Sequence, residues 1–195
     1  MKIAIIKYNA GNIRSVSFAL ERLGIDFILT ENKEEIQSAD KVIFPGVGEA
    51  SSTMRYLKER KLDAVIKDLK QPTLGICLGM QLMCRHSDEN NTDCLGIFND
   101  TVQLFKSDTL KVPHMGWNAL EKVKGWLDPA LQEKYVYFVH SYYVPLSPFT
   151  VAEVNYEINF SAALGKDNFY AAQFHPEKSA EAGELVLRSF LKQEG

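Results

Sequence analysis

The sequence has few cysteines, and they follow no pairing pattern. Cys77, Cys84 and Cys94 are an odd number, and no two of them form a Cys-x-x-Cys pair. A disulfide framework and a thiolate zinc site are therefore not expected. A free cysteine is usually a small buried hydrophobic residue, and we interpret Cys84 and Cys94 in this way.

Positive charge and long apolar runs are also scarce. Lys and Arg number 22 against 25 Asp and Glu, which gives a formal net charge of −3. This balance argues against a nucleic-acid-binding protein that relies on overall positive charge. No run approaches the ~18 apolar residues of a membrane span, and Ile3–Ile6 is too short for the core of a signal peptide. We therefore expect a cytoplasmic protein with no membrane or nucleic-acid partner.

Short apolar strands alternate with helical segments in the first half of the chain. The predicted strands are Lys2–Ile6, Asp26–Leu29, Val42–Phe44 and Thr73–Ile76, and the helical segments start near Asn12, Lys33, Ser51 or Ser52, Leu62 and Met80. Strands this apolar are typical of a parallel sheet that is covered on both faces.

The second half is richer in strands. Candidate strands are Val102–Phe105, Ala119–Val123, Tyr135–Val139, Val151–Tyr156 and Phe169–Phe174, before a closing helix at Leu185–Leu191. The polar segment His86–Asp93 is predicted to be a loop. A length of 195 residues suits a single domain. The sequence thus predicts one α/β domain over residues 1–195, with a mostly parallel open sheet flanked by helices and added antiparallel strands in the second half.

A cysteine between two glycines follows the fourth predicted strand, in Gly75-Ile76-Cys77-Leu78-Gly79. This is the cysteine version of the Gly-x-Ser-x-Gly nucleophile elbow, where small residues relieve crowding at a sharp strand-to-helix turn. The start of a helix also favours a negatively charged thiolate. The alternative is a buried cysteine beside two turn glycines, and the pentapeptide alone leaves both interpretations open.

A histidine with a nearby carboxylate ends the last predicted strand, in His175-Pro176-Glu177. Residues i and i+2 of an extended segment point to the same side, so Glu177 can orient the His175 ring. Cys77 and His175 both follow strands, and the carboxyl ends of parallel strands gather at one edge of a sheet. The pattern predicts a Cys-His-Glu triad, although a single strand-end histidine is more often an ordinary surface residue.

An acyl-transfer site also needs donors for the oxyanion. The backbone N–H of Leu78, next to the nucleophile, is one candidate. The turn Pro45-Gly46-Val47-Gly48 follows another strand, and its glycines let the N–H groups of Val47 and Gly48 approach a ligand closely. Taken alone, this turn is better explained as an ordinary Pro-Gly turn.

These motifs together resemble the class I (triad) glutamine amidotransferases. The resemblance rests on Gly75–Gln81 and His175–Glu177 and extends over nearly the whole chain. It implies a flavodoxin-like α/β fold and hydrolysis of glutamine to glutamate and ammonia, with Cys77, His175 and Glu177 as the triad. The reaction that this resemblance implies requires no metal or organic cofactor.

The resemblance also implies a set of substrate-binding residues. Gln81 lies one helical turn beyond the nucleophile, and Glu89 occupies the place of an acidic residue that meets the α-ammonium group of glutamine. Ser141 and Tyr142 offer backbone contacts to the amino-acid end of the substrate, and Gly46 lies beside the oxyanion donors. Without the resemblance, Gln81 would be part of a solvated helix face and Glu89 an ordinary loop carboxylate.

Within the family, further segments are similar to the glutaminase subunits of imidazole glycerol phosphate synthases. The segments are Pro45–Gly48, Pro113–Asn118, His140–Tyr142 and His175–Ser179. This similarity implies a heterodimer with a (β/α)8-barrel cyclase that receives the ammonia. The implied partner interface contains Met115, Trp117, Asn118 and Lys178, although a tryptophan at this position can equally be part of the core.

Two other functions stay open at this point. Lys7–Asn12 departs from the commoner form of its motif, which allows a paralogous glutaminase subunit of another ammonia-using synthase. A stand-alone γ-glutamyl cysteine hydrolase is the second alternative, but the Pro113–Asn118 segment argues against it. A non-catalytic homologue is disfavoured because Cys77, His175 and Glu177 are all present.

Overall fold

The computed structural model describes residues 1–8 and 13–194. The elements up to residue 83 are β1 (Ile3–Ile6), α1 (Ile13–Arg22), β2 (Phe27–Thr30), α2 (Lys33–Gln37), β3 (Lys41–Phe44), α3 (Ala50–Glu59), α4 (Leu62–Asp68), β4 (Thr73–Ile76) and α5 (Leu78–Met83). The prediction that Asn12 opens the first helix lies outside the described residues.

The later part of the chain is mostly strand. Its elements are β5 (Cys84–Ser87), β6 (Thr92–Asp93), β7 (Phe98–Leu104), β8 (His114–Ala119), β9 (Tyr135–His140), β10 (Tyr142–Tyr143), β11 (Thr150–Tyr156), β12 (Ile158–Lys166), β13 (Phe169–Ala172) and α6 (Ala180–Leu191). Two short 3₁₀ turns, Pro129–Leu131 and Pro176–Lys178, complete the described structure.

An open sheet in the order β11-β12-β13-β4-β3-β1-β2 forms the centre of the molecule. The strands from β13 to β2 are mutually parallel, whereas β12 and β11 join antiparallel at one edge. The predicted fold class, a mostly parallel open sheet with added antiparallel strands, is confirmed. In register, Ala172 of β13 lies opposite Ile76 of β4, so the residues that follow these two strands are neighbours.

Both faces of the sheet are covered, because successive side chains of a strand point to opposite sides. In β1, Ile3 and Ile5 belong to the core cluster that includes residues of α1 and α6, whereas Ala4 and Ile6 belong to the cluster that includes residues of α2 to α5. All four side chains are fully buried. Strands buried on both faces explain the continuous apolar runs of the first half.

The prediction of a loop at His86–Asp93 is wrong at both ends and holds only for the turn at 88–91. Ser87 and the residues before it form β5, Thr92–Asp93 forms β6, and the two strands pair antiparallel. Their mostly polar sequence, which includes exposed Arg85, gave no alternation of apolar and polar residues that would predict strands. The preceding helix is also earlier than predicted, since α5 begins at Leu78 and ends at Met83.

The second half differs from the prediction in further places. The strand expected at Ala119–Val123 is β8, which ends at Ala119, and beyond it Glu121 makes only an isolated bridge to Glu153. The small residues of Ile158–Lys166 gave no strong strand signal, yet they form β12. The last strand ends at Ala172, so that Gln173 and Phe174 lie in the bend before His175.

The remaining strands form smaller sheets. One is ordered β10-β7-β5-β6, and β8 pairs with β9 in a separate two-stranded sheet. The backbone N–H of His175 donates to the Tyr137 carbonyl of β9 at 2.9 Å, which ties this smaller sheet to the end of β13. In the described part of the chain, no helix is both long and apolar enough to cross a membrane.

Candidate active site

Cys77 lies at a sharp turn between β4 and α5. Its backbone has φ 53° and ψ −108°, in the positive-φ region that few residues other than glycine adopt. The Cys77 N–H donates to the Ala172 carbonyl at 2.7 Å, so the turn is fixed to the end of β13. A strained conformation held by its surroundings is typical of a nucleophile elbow.

The two flanking glycines are required by close packing. A Cβ atom on Gly79 would overlap the backbone carbonyl of Phe44, and one on Gly75 would lie 2.8 Å from the Met83 sulfur. Such contacts are closer than real Cβ atoms tolerate. The Gly-x-Cys-x-Gly spacing is therefore a packing requirement of the elbow, as the sequence predicts.

His175 and Glu177 form a buried pair. The His175 Nδ1 atom lies 2.8 Å from Glu177 Oε1, and both side chains are almost completely excluded from solvent. The Ser179 hydroxyl donates to the His175 carbonyl at 2.7 Å and fixes the turn that carries the pair. The predicted contact between His175 and Glu177 is therefore present, but a 3₁₀ turn at Pro176–Lys178 forms it and not the extended segment that the sequence predicted.

The electrostatics of His175 link it to Cys77. Burial by itself lowers the pKa of His175, but hydrogen bonds to Cys77 and Glu177 and the negative charges of both groups outweigh it. Together they raise the pKa of His175 to about 10. At neutral pH the imidazole is therefore protonated and paired with acidic groups on two sides. The structure brings together the three residues predicted as a triad.

The predicted oxyanion segment is close to the elbow, and one of its predicted donors is bound within the protein. The Leu78 N–H donates to the Gly46 carbonyl at 3.2 Å. Gly48 has φ +132°, a conformation accessible mainly to glycine. The Tyr8 hydroxyl donates to the Pro45 carbonyl at 2.5 Å and holds the start of the segment. One of the two predicted donors is therefore occupied by the protein itself.

A cavity of about 340 Å³ lies in front of Cys77. Its walls include most of the residues predicted to bind substrate or oxyanion: Val47, Gly48, Leu78, Gln81, Glu89, Ser141 and Tyr142. Gly46 does not line this cavity but contacts the elbow behind it. The volume lies in the range of small-molecule sites.

The polar groups of the cavity are already partly engaged. Glu89 Oε2 accepts from the Ala50 N–H at 2.8 Å, and burial raises the pKa of its carboxyl. Gln81 Nε2 donates to the Tyr142 carbonyl at 2.9 Å. Glu89 therefore remains a half-buried carboxylate beside the cavity, where a cationic ligand group would relieve its burial.

A pair of buried histidines adjoins the cavity, which His140 helps to line. His140 Nδ1 lies 2.7 Å from the Tyr142 carbonyl, which can only accept, so Nδ1 carries the proton. The unprotonated His140 Nε2 then accepts from His114 Nδ1 at 3.1 Å. Burial lowers the pKa of His114 to about 4. Burial and the neighbouring charges of His114 and His175 lower that of His140 to about 3. At neutral pH, the rings of His114 and His140 are therefore neutral, whereas the ring of His175 is charged.

The other two thiols lie away from this arrangement. Cys84 is fully buried, and burial raises its pKa well above the usual value. Burial and the neighbouring Asp93 raise the pKa of Cys94 to about 12. Both therefore stay protonated at neutral pH, in keeping with their interpretation as small apolar residues.

Part of the predicted interface forms an exposed aromatic surface. Trp117 is 52 % exposed, and its ring contacts Tyr137 with centroids 5.9 Å apart. The Lys178 ammonium group lies 5.9 Å from the centre of the same Tyr137 ring. Met115 lies two residues before Trp117 on β8 and is 63 % exposed. The interpretation of Trp117 as a core residue is excluded.

Asn118 does not share this surface. It alternates with Trp117 along β8 and therefore points to the other face of the strand. Its Nδ2 donates to the Asn155 carbonyl at 2.8 Å, which joins β8 to β11. Asn118 thus has a structural contact within the chain.

Sequence reasoning missed three residues that touch the site. Tyr8 binds the oxyanion segment, Tyr137 connects Trp117 with Lys178, and Gln173 contacts the Cys77 sulfur. Tyr137 could have been found, because it alternates with buried Val136 and Phe138 in β9. Tyr8 and Gln173 carried no signal of their own, since their roles depend on the packing of distant segments.

Fold and site together define an α/β protein with a cysteine on a nucleophile elbow and an acid-paired histidine beside it. The chain belongs to the class-I glutamine amidotransferase family, whose model matches residues 4–193.

The chain is similar to curated proteins over nearly its whole length. This chain is 60 % identical over 195 residues to the imidazole glycerol phosphate synthase subunit HisH of Bacteroides fragilis strain YCH46, and the match covers 98 % of this chain and 100 % of that one. The same subunit of Bacteroides thetaiotaomicron is 60 % identical over 194 residues, covering 98 % and 99 %. A solved structure described as a glutamine amidotransferase has a TM-score of 0.76 at 18 % identity, with 97 % of each chain covered, and supports the fold.

Proposed function

We infer that the chain is the glutaminase subunit of an imidazole glycerol phosphate synthase, acting in histidine biosynthesis. Family membership supports hydrolysis of glutamine, and the full-length relatives at 60 % identity support this particular subunit. The observation that carries the proposal is the arrangement of Cys77 on its elbow beside the buried His175–Glu177 pair. Residues 1–195 are proposed to form one amidotransferase domain that works in the cytoplasm.

The first chemical step uses the charge distribution of the site. His175, whose ring is held by Glu177, takes the proton of the Cys77 thiol. The thiolate attacks the side-chain amide carbon of glutamine and forms a tetrahedral oxyanion. His175 then gives its proton to the leaving nitrogen, so ammonia departs and a glutamyl thioester remains on Cys77.

Hydrolysis completes the cycle. His175 takes a proton from water, the resulting hydroxide attacks the thioester, and glutamate leaves while the proton returns to the thiolate–imidazole pair. The oxyanions of both halves require N–H donors, which we assign to Leu78 and to the Val47–Gly48 segment. Because the Leu78 N–H is bound to the Gly46 carbonyl, this segment must turn before the donors can act.

Substrate orientation follows from the cavity. Glu89 is proposed to bind the α-ammonium group of glutamine, since a cation would compensate its half-buried charge. Gln81 and the backbone of Ser141 and Tyr142 line the same cavity and are proposed to contact the amino-acid end. Gly46 is proposed to lie beside the substrate only after the oxyanion segment has turned.

Ammonia must reach an acceptor before it is protonated to unreactive ammonium. We propose a heterodimer with a (β/α)8-barrel cyclase that consumes the ammonia, bound through the surface of Met115, Trp117 and Lys178. Trp117 is exposed, and tryptophan is enriched among binding hot spots. Asn118 is proposed to support β8 at this interface through its bond to Asn155.

The test is glutamate production from glutamine by the chain alone, with the cyclase, and with the cyclase and its nucleotide ligand. We expect low turnover alone and strong stimulation by the partner. High turnover that no partner changes would favour the stand-alone hydrolase. Stimulation by a different synthase would favour the paralogous subunit, and no turnover under any condition would contradict the glutaminase assignment.

A further inference from the structure

Gln173 is a buried glutamine beside the nucleophile, and the proposed glutaminase mechanism gives it no role. Gln173 directly follows β13, and its side chain is completely excluded from solvent. Because Ala172 lies opposite Ile76 in the sheet, Gln173 and Cys77 occupy equivalent positions on neighbouring parallel strands. The Gln173 Nε2 atom lies 3.7 Å from the Cys77 sulfur, within hydrogen-bonding distance.

The orientation of the Gln173 amide is fixed by Gln81. The Tyr142 carbonyl can only accept, so the nitrogen of the Gln81 amide must face it, at 2.9 Å. That nitrogen has a second hydrogen, which it donates to Gln173 Oε1 at 3.0 Å. The oxygen of Gln173 therefore faces Gln81, and its NH₂ group faces the sulfur.

We propose that Gln173 is a positioning residue that donates a hydrogen bond to the Cys77 thiolate, with Gln81 holding its amide in the donating orientation. A hydrogen bond to the charged form of a group favours that form, and burial strengthens the effect. The thiolate then has a fixed donor on the protein side, opposite the cavity through which glutamine arrives. This inference rests on the proposed function, because it takes Cys77 to be the nucleophile.

Three substitutions separate donation from packing. Gln173→Met keeps a similar volume but has no N–H donor. Gln173→Glu keeps the oxygen that accepts from Gln81 and places a second oxygen against the sulfur. Gln81→Met leaves Gln173 in place but removes the group that orients its amide. We expect all three variants to disfavour the thiolate, with Gln173→Glu having the largest effect and Gln81→Met the smallest.

Asn168 supplies a matched control. It lies at the other end of β13, and its Nδ2 donates to the carbonyls of Leu69 and Gln71 at 2.9 and 3.0 Å. Asn168→Ala therefore removes a structural amide from the same strand without touching the cavity. Comparing the thermal unfolding and the alkylation rate of Asn168→Ala shows how much a loss of stability alone changes Cys77 reactivity.

The experiment measures the rate of Cys77 alkylation by iodoacetamide from pH 5 to pH 10, with the labelled residue identified by peptide mass spectrometry. For Gln173→Met we expect the profile to move to higher pH by about one unit, equal to a tenfold change in thiolate population. At the highest pH the variant should react at least as fast as the parent, because a sulfur without a donor is the stronger nucleophile. Asn168→Ala should keep the parental profile.

Steady-state kinetics in the presence of the cyclase give a second readout. We expect Gln173→Met to lower kcat while the KM for glutamine stays near its parental value, since Gln173 does not line the cavity. Superimposable alkylation profiles for the parent and the folded Gln173 variants would overturn the inference. A shifted profile in a chain that fails to hydrolyse glutamine would support the role of Gln173 and contradict the proposed function instead.

Discussion

The nucleophile side and the oxyanion side of the cavity differ in whether their groups are already arranged for catalysis. On one side, Cys77 and His175 are held by buried contacts from β4, β13 and the turn that follows. On the other side, the Leu78 N–H donates a hydrogen bond to the Gly46 carbonyl, and the Tyr8 hydroxyl donates one to the carbonyl of the preceding Pro45. The nucleophile is thus assembled, whereas the oxyanion site is closed.

This difference follows from how each side is built. The nucleophile is placed by strand register and by glycines packed against backbone, neither of which can change without breaking the sheet. The oxyanion segment is a short connection before α3, where Gly46 and Gly48 flank Val47 and allow the peptide to rotate. A protein built in this way can keep its nucleophile in place and still remain inactive until the segment turns.

Removal of the nucleophile should have the largest effect. Cys77→Ser is expected to reduce glutamine hydrolysis by about 10⁴-fold or more while the fold is kept. Cys84→Ser and Cys94→Ser should retain substantial activity, since burial keeps both thiols protonated. A glutamine-analogue alkylator that labels Cys84 or Cys94 and spares Cys77 would show that the wrong cysteine has been assigned.

The histidine and its carboxylate should differ in importance. His175→Asn removes the proton carrier, whereas Glu177→Gln removes only the group that orients it. We expect Glu177→Gln to lower kcat by about 10²-fold or more with little change in KM, and His175→Asn to lower it further. Steady-state kinetics with the cyclase present measure both values. Full activity in the two variants would remove the triad from the account.

On the closed side, release of the oxyanion segment should raise activity. Tyr8→Phe removes the hydrogen bond to the Pro45 carbonyl, worth about 1 kcal/mol, so partner-free turnover should rise by about fivefold. Tyr56→Phe is the matched control, because the Tyr56 hydroxyl donates to Glu31 at 2.8 Å on the exposed side. Unchanged or lower partner-free turnover in Tyr8→Phe would mean that this contact does not hold the segment closed.

A further effect concerns the stability of the fold in acid and not catalysis. The pKa of His114 is about 4 in the folded chain, below the usual 6.5, so folding favours the neutral ring. This stabilisation is complete above pH 6.5 and is lost as the pH falls towards 4, by about 3 kcal/mol. His114→Gln should make the free energy of unfolding less dependent on pH in this window, as measured by denaturant titration. If the free energy of unfolding of the variant depended on pH as steeply as that of the parent, groups other than His114 would cause the loss of stability in acid.

The sequence predicted the parallel half of the fold well because most strands there, such as β1, β3 and β4, are buried on both faces and are mainly apolar. It failed where strands have mostly polar side chains, as in β5, or small side chains, as in β12. The Cys77 elbow and the His175–Glu177 pair could be predicted, because each is encoded by residues close together in the chain.

Other parts of the site could not be predicted from local patterns. The contact between Gly46 and Leu78 joins two backbone groups, and no side chain reports which way that peptide faces. The contact of Gln173 with Cys77 depends on the register of two strands that are far apart in sequence. Such features arise from tertiary packing and become visible only in the folded chain.

The central claim is that the nucleophile is ready while the oxyanion site is closed, and two rates measured on the same samples test it. Cys77 alkylation and glutamine turnover would be followed for the chain alone and with the cyclase and its nucleotide ligand. We predict that turnover rises by about 10²–10³-fold with the partner, the value of one oxyanion donor, while the alkylation rate changes little. Turnover that is already high in the isolated chain, or alkylation that rises in step with turnover, would contradict the account.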